Sequence, residues 1–133
     1  MRYVWGVFLL LVGYSAHAEL ANVSNSGLQG LIEKGVPIVD VRRADEWAAT
    51  GVVAGSHKIT FFDQNGDYDA KKWLAELNSI AGKDQPVVLI CESGVRSKVV
   101  ANWLSKGLGY SEVYNVTSGI SGWIGEDKPV VRE

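Results

Sequence analysis

Apolar positions along the chain fall into two kinds of run, and their alternation sets the expected fold. Pro37 to Val41 (PIVDV) and Pro86 to Ile90 (PVVLI) are short, nearly continuous apolar stretches bounded by turn residues. Runs of this kind read as strands buried on both faces, the habit of parallel sheets. The first places Asp40 at a strand's carboxyl end. The second, the candidate central strand, places Cys91 immediately after it. Two longer segments repeat apolar residues at helical spacing. Asp69 to Ala81 carries Trp73, Leu74, Leu77 and Ile80 on one face, and Arg96 to Lys106 carries Val99, Val100, Trp103 and Leu104. Gly82, Gly107 and Gly109 stand as stops.

Shorter elements fill the intervals. Ser24 or Ser26 caps an expected helix running to about Lys34 and ending at Gly35, and Ala44 to Thr50 forms a short helix closed by Gly51. Lys58 to Thr60 and Glu112 to Val116 read as strands, Asp63 to Asp67 as a turn, and Ile120 to Ile124 as a last short helix. Helix and strand alternating at short intervals predict one α/β domain with a mainly parallel sheet.

The pattern breaks at the amino terminus. Arg2 precedes an apolar run from Tyr3 to Tyr14, and Ala16-His17-Ala18 has the small-x-small form of a cleavage site. The run falls short of the roughly 20 residues needed to cross a hydrocarbon core. Residues 1–18 therefore read as a signal peptide cut near Ala18. The expectation is a periplasmic or otherwise exported domain over residues 19–133, without membrane attachment after cleavage.

Charge removes other classes of partner. Thirteen Lys and Arg against fifteen Asp and Glu give a net charge of -2, which is no footprint for nucleic acid or for polybasic membrane recruitment. The single cysteine, Cys91, excludes an internal disulfide, a thiolate-rich zinc site and a two-cysteine redox pair within the chain. Exported proteins tend to pair their cysteines, so an unpaired one points to a reactive thiol.

Cys91-Glu92-Ser93-Gly94-Val95-Arg96 joins the expected central strand to an amphipathic helix, where open α/β sheets place their ligand crevices. The amides from Glu92 to Arg96 are expected to curl round an exposed sulfur as an anion nest, with Gly94 supplying a positive φ. The following helix adds its positive end, so the arrangement favours thiolate over thiol. Arg96 supplies a fixed cation able to form paired hydrogen bonds with an oxyanion. A thiolate in such a cradle suits attack on an electrophilic atom bonded to oxygens.

These residues resemble the rhodanese (sulfurtransferase) family through nearly all of residues 19–133. Asp40-Val41-Arg42 with Glu46-Trp47 is similar to its early segment, and Cys91-x-x-Gly94-x-Arg96-Ser97 to its active-site loop. Gly109-Tyr110, Val113-Tyr114-Asn115, Gly119-Ile120 and Trp123 are similar to its closing segment. The resemblance implies a rhodanese-like α/β fold with a mostly parallel five-stranded sheet and helices on both faces. It implies transfer of sulfane sulfur through a persulfide on Cys91, from a donor such as thiosulfate to cyanide, a small thiol or a protein thiol. Carried over, Cys91 and Arg96 are catalytic, and Glu92, Ser93, Gly94, Val95, Arg96 and Ser97 bind substrate. Asp40, Arg42 and Glu46 support them, with no cofactor or metal.

Some positions depart from the pattern. Gly51 to Ser56 lacks the family's histidine and proline, Ser118 replaces the first glycine of a closing pair, and Glu92 puts a negative charge in the loop. That charge opposes anionic donors unless its side chain points outward. Arg42 and Glu46, four apart, are expected to form an ion pair at the rim, with Asp40 as structural support. His57 reads as a surface residue, Lys98 as a solvated helix residue, and Trp47, Trp73, Trp103 and Trp123 as core packing. Two alternatives stand beside sulfur transfer. One is a non-catalytic persulfide relay or sensor. The other is a cysteine-dependent phosphatase or arsenate reductase, disfavoured by four rather than five residues between Cys91 and Arg96 and by Ile90 where those enzymes usually carry histidine.

Overall fold

The computed structural model describes residues 19–132. The expected signal peptide at residues 1–18 lies outside them. Five strands, β1 (Glu19–Val23), β2 (Ile38–Asp40), β3 (His57–Lys58), β4 (Val87–Ile90) and β5 (Glu112–Val116), form one sheet in the order β1-β5-β4-β2-β3. Every pairing between them is parallel. No helix among the described residues is long and apolar enough to cross a membrane.

Strand β4 lies at the centre and all four of its side chains are buried. Alternation across the pleat divides them between two cores. Val87, Leu89 and Cys91 join the side that holds Trp73, Leu77, Val100 and Leu104. Val88 joins Ile90, Leu28, Leu31, Ile120 and Trp123 on the other. Helices α3 (Ala70–Asn78) and α4 (Val95–Asn102) thus cover one face, while α1 (Asn25–Glu33) and α5 (Gly119–Gly125) cover the other. The remaining helix, α2 (Ala44–Thr50), has the expected boundaries and ends at Gly51 with φ of 79°.

Local chemistry explains the smaller differences from expectation. Asp69 stands outside α3 as its cap, accepting from the Lys72 amide (3.1 Å), so the helix starts one residue later than expected. The third strand is His57–Lys58 rather than Lys58 to Thr60. Beyond it the chain still follows β2, because the Ile59 and Phe61 amides donate to the Asp40 and Val41 carbonyls. Strand β1 was not anticipated, since ELANV lacks the apolar run of a central strand and is only half covered at the sheet edge.

The α4 segment departs most. It starts at Val95 and closes in a wider π turn over Trp103–Gly107, where the Leu108 amide donates to the Trp103 carbonyl at 3.0 Å. Its buried face is Ser97, Val100, Ala101 and Leu104. Val99, expected on that face, is 55% exposed. The helix is turned because Ser97, a polar residue, is the side chain that docks beneath the loop.

Candidate active site

Strand β4 delivers Cys91 to the carboxyl edge of the sheet, and the chain must then turn at once into α4. Gly94 makes that turn with φ of 88°, a conformation strained for any residue with a Cβ. Its backbone also lies so close to β5 that an added Cβ would sit 2.2 Å from the Thr117 carbonyl oxygen. On the opposite side the amides of Ile120 and Ser121, in the first turn of α5, donate to the carbonyls of Cys91 (2.9 Å) and Glu92 (3.1 Å). Gly119 permits this approach, since a Cβ there would lie 2.2 Å from the Glu92 carbonyl oxygen. Carbonyls held outward leave amides facing inward, which is how a peptide turn becomes an anion cradle.

The Cys91 sulfur accepts from the amides of Gly94 (3.2 Å) and Ser97 (3.3 Å) and lies 3.2 Å from the Ser97 hydroxyl. The cradle therefore differs from the expected ring of Glu92 to Arg96 amides. It draws on two backbone groups, one of them a residue beyond the expected set. Cys91 is also not the exposed thiol expected from a loop position. It is 1% exposed, because α4 packs over it through Ser97. Glu92, Ser93 and Val95 point to solvent, with Val95 67% exposed, whereas Gly94 and Ser97 are buried. Glu92 is exposed to water, yet its charge still acts on the neighbouring Arg96 guanidinium.

The supporting residues divide differently from expectation. Arg42 does not pair with Glu46. Its guanidinium folds back onto Asp40, with Nε and Nη2 donating to both carboxylate oxygens at 2.9–3.2 Å, and then reaches Thr50 Oγ1 and the Gly51 carbonyl. Both charged groups are fully buried. Glu46, one turn into α2, instead meets Arg96 across the site, with Nη1 and Nη2 donating to its two oxygens at 2.8 and 2.6 Å. The Arg43 amide also donates to Glu46 at 3.1 Å. The Arg96 hydrogen bonds are the largest influence holding the Glu46 carboxyl down at about 2, and the same pair raises the Arg96 guanidinium. Partner choice between residues fifty positions apart is set by the fold and has no signal in local spacing.

In the sequence Asn115 stands out only as one residue of the Val113-Tyr114-Asn115 segment. In the structure its side chain is buried in β5 and accepts from the Ser97 hydroxyl (2.5 Å), while its amide nitrogen donates to the Gly94 carbonyl (3.3 Å) and to Asn22 (3.1 Å). Beside the loop, Ser93, Gly94, Val95, Lys98 and Asn115 line part of a cavity of about 410 Å³. Trp73 is core as expected, its indole donating to the Ile59 carbonyl, and Trp123 is also buried; Trp47 and Trp103 are only partly covered. His57 is exposed.

A lone cysteine on an amide-lined turn, after the central strand of an all-parallel sheet covered on both faces, defines a class of α/β domains with a sulfur at the carboxyl edge of the sheet. Within that class the chain belongs to the rhodanese family: the Rhodanese-like domain matches residues 24–126. It is similar to the protein YibN of Escherichia coli (strain K12), 32% identical over 95 residues that cover 71% of this chain and 60% of that one. The chain thus spans less than two thirds of that relative. It is also similar to the thiosulfate sulfurtransferase GlpE of Pseudomonas savastanoi pv. phaseolicola, 29% identical over 105 residues, covering 79% of this chain and 88% of that one. The crystal structure of a rhodanese-related protein from Thermoplasma volcanium matches with a TM-score of 0.64 and 31% identity, covering 85% of this chain and 99% of that one.

Proposed function

We propose that this chain is a sulfurtransferase that carries sulfane sulfur on Cys91. The observation that supports it best is the sulfur held between the Gly94 and Ser97 amides at the end of β4, in a domain of the rhodanese family. With thiosulfate as donor, the Cys91 thiolate attacks the outer sulfur, a Cys–S–S bond forms, the donor's sulfur–sulfur bond breaks, and sulfite leaves with the electron pair. Cyanide or a thiolate then attacks the terminal sulfur, and Cys91 departs as thiolate. Arg96 keeps N–H groups beyond the two that Glu46 occupies, and these suit the donor's sulfonate. Glu92, Ser93 and Val95 frame the approach, and the loop amides hold the charge that builds on sulfur.

A second reading, relay of persulfide between proteins, is favoured by one feature. Val95 and Val99 present apolar surface beside a buried sulfur whose arginine is already engaged by a carboxylate, which suits an uncharged protein surface better than a small anion. We propose in addition that residues 1–18 direct export and are removed near Ala18.

Intact mass of the protein before and after thiosulfate, with Cys91→Ser alongside, tests the first reading. The expected result is a gain of about 32 Da, one sulfur on an activated thiolate, absent in the variant and lost on adding cyanide. No adduct from thiosulfate, with sulfur gained from a persulfidated protein, moves the assignment to relay.

A further inference from the structure

The hydroxyl of Ser97 has one proton and two buried claimants for it. Asn115 Oδ1 lies 2.5 Å away and the Cys91 sulfur 3.2 Å away. The direction of the Asn115 amide is set chemically. Its other end faces the Gly94 carbonyl, which can only accept, so the NH₂ group lies there and Oδ1 faces Ser97. Oδ1 also can only accept. In this arrangement Ser97 gives its proton to Asn115 and turns a lone pair towards the sulfur, a pattern matched to a thiol whose S–H donates to Ser97. A thiolate needs the reverse, with the hydroxyl turned to sulfur and Asn115 Oδ1 left buried without a donor. Leaving a buried acceptor unpaired is costly.

We propose that Asn115 is a positioning residue that acts through Ser97 to set how readily the sulfur of Cys91 bears negative charge. Two donors to the sulfur, the Gly94 and Ser97 amides, are fixed by the backbone. The third is switchable, and Asn115 competes for it. The same hydroxyl can serve as acceptor to the thiol and as donor to the anion, so one rotation about the Ser97 C–O bond follows the charge through each cycle of loading and unloading. Asn22 of β1 holds the far side of the Asn115 amide and completes a polar line from the sheet edge to the sulfur.

This inference rests on the reading of Cys91 as the reacting sulfur, but its test needs no sulfur donor. Because Cys91 is the only cysteine, the ultraviolet absorbance of its thiolate reports the thiolate-to-thiol ratio directly. Asn115→Leu removes the competitor and leaves the hydroxyl free to donate. It is expected to raise that ratio about tenfold at neutral pH, the size of one hydrogen bond to a charged group. In a Ser97→Ala background the same substitution should change nothing, since no hydroxyl remains to turn. Asn115→Ala, read in the same two backgrounds, serves if the leucine variant does not fold. The charged groups around the sulfur stay as they are in every variant: Glu92 of the loop, Arg96 of α4, Glu46 held on Arg96, and Asp40 closed by Arg42. An unchanged ratio in Asn115→Leu, or an equal rise with and without Ser97, overturns the proposal. A correct absorbance pattern with no thiosulfate adduct would instead count against the small-donor reading of the site alone.

Discussion

Two arginine–carboxylate pairs stand within one turn of helix α2 of each other, and they do opposite work. Asp40 and Arg42 are 0% and 1% exposed, and the guanidinium also reaches Thr50 and the Gly51 carbonyl. Every charge there has a partner, and nothing can be exchanged without leaving an ion in a low-dielectric interior. Glu46 and Arg96 are 15% and 26% exposed, water reaches both, and the guanidinium has N–H groups to spare. The first pair ties the end of β2 to the end of α2. The second holds the Arg96 cation beside the loop, where water reaches it. Burial, more than residue type, separates a strut from a latch.

Breaking each pair should expose that difference. Arg42→Ala leaves Asp40 buried without its counter-charge, so the expected loss is about 3–5 kcal/mol of stability, read from the urea midpoint. A loss below about 1 kcal/mol would mean that the pair is hydrated like a surface bridge. Glu46→Gln should cost less, about 1–2 kcal/mol for a weakened hydrogen bond to a charged group. It frees Arg96 at the same time, so the KM for thiosulfate should fall severalfold; a KM that rises would show that Glu46 orients Arg96 rather than competing for it. The third effect is acidic. Glu46 is held at about 2 in the fold, below its ordinary 4.5, so its contribution is complete above about pH 4.5 and is lost as pH falls towards 2. Urea midpoints at pH 5 and pH 3 should therefore fall more in the native protein than in Glu46→Gln, and parallel falls would remove Glu46 from the acid response.

How much of this was legible beforehand varies with the range of the interaction. The continuous run Val87–Ile90 announced the central strand, and the alternation of Val88 and Ile90 against Val87 and Leu89 carries both cores. Helix α2 was readable to the residue, because Gly51 is a local stop. Strand β1 was hidden, since it is defined by its partner, with Glu19 to Val23 running in register with Glu112 to Val116. The loop and its cysteine were plain in the sequence. Its donors were not, because Ser97 reaches the sulfur only once α4 has turned, and Asn115 arrives from another strand. The expected Arg42–Glu46 pair failed for the same reason. Spacing of four on a helix suggests a contact, but Arg42 precedes α2 and its guanidinium found a nearer carboxylate in Asp40.

The lock formed by the first turn of α5 has a consequence for how the chain is made. The carbonyls of Cys91 and Glu92 are held outward by the amides of Ile120 and Ser121, and Gly94 rests against Thr117. The cysteine is therefore synthesised well before the residues that complete its cradle. Until Ser121 has emerged and docked, the carbonyls of Cys91 and Glu92 lack the amides that hold them outward, and the turn stays unfinished. The order of birth along the polypeptide thus leaves the turn after its single cysteine to be fixed last.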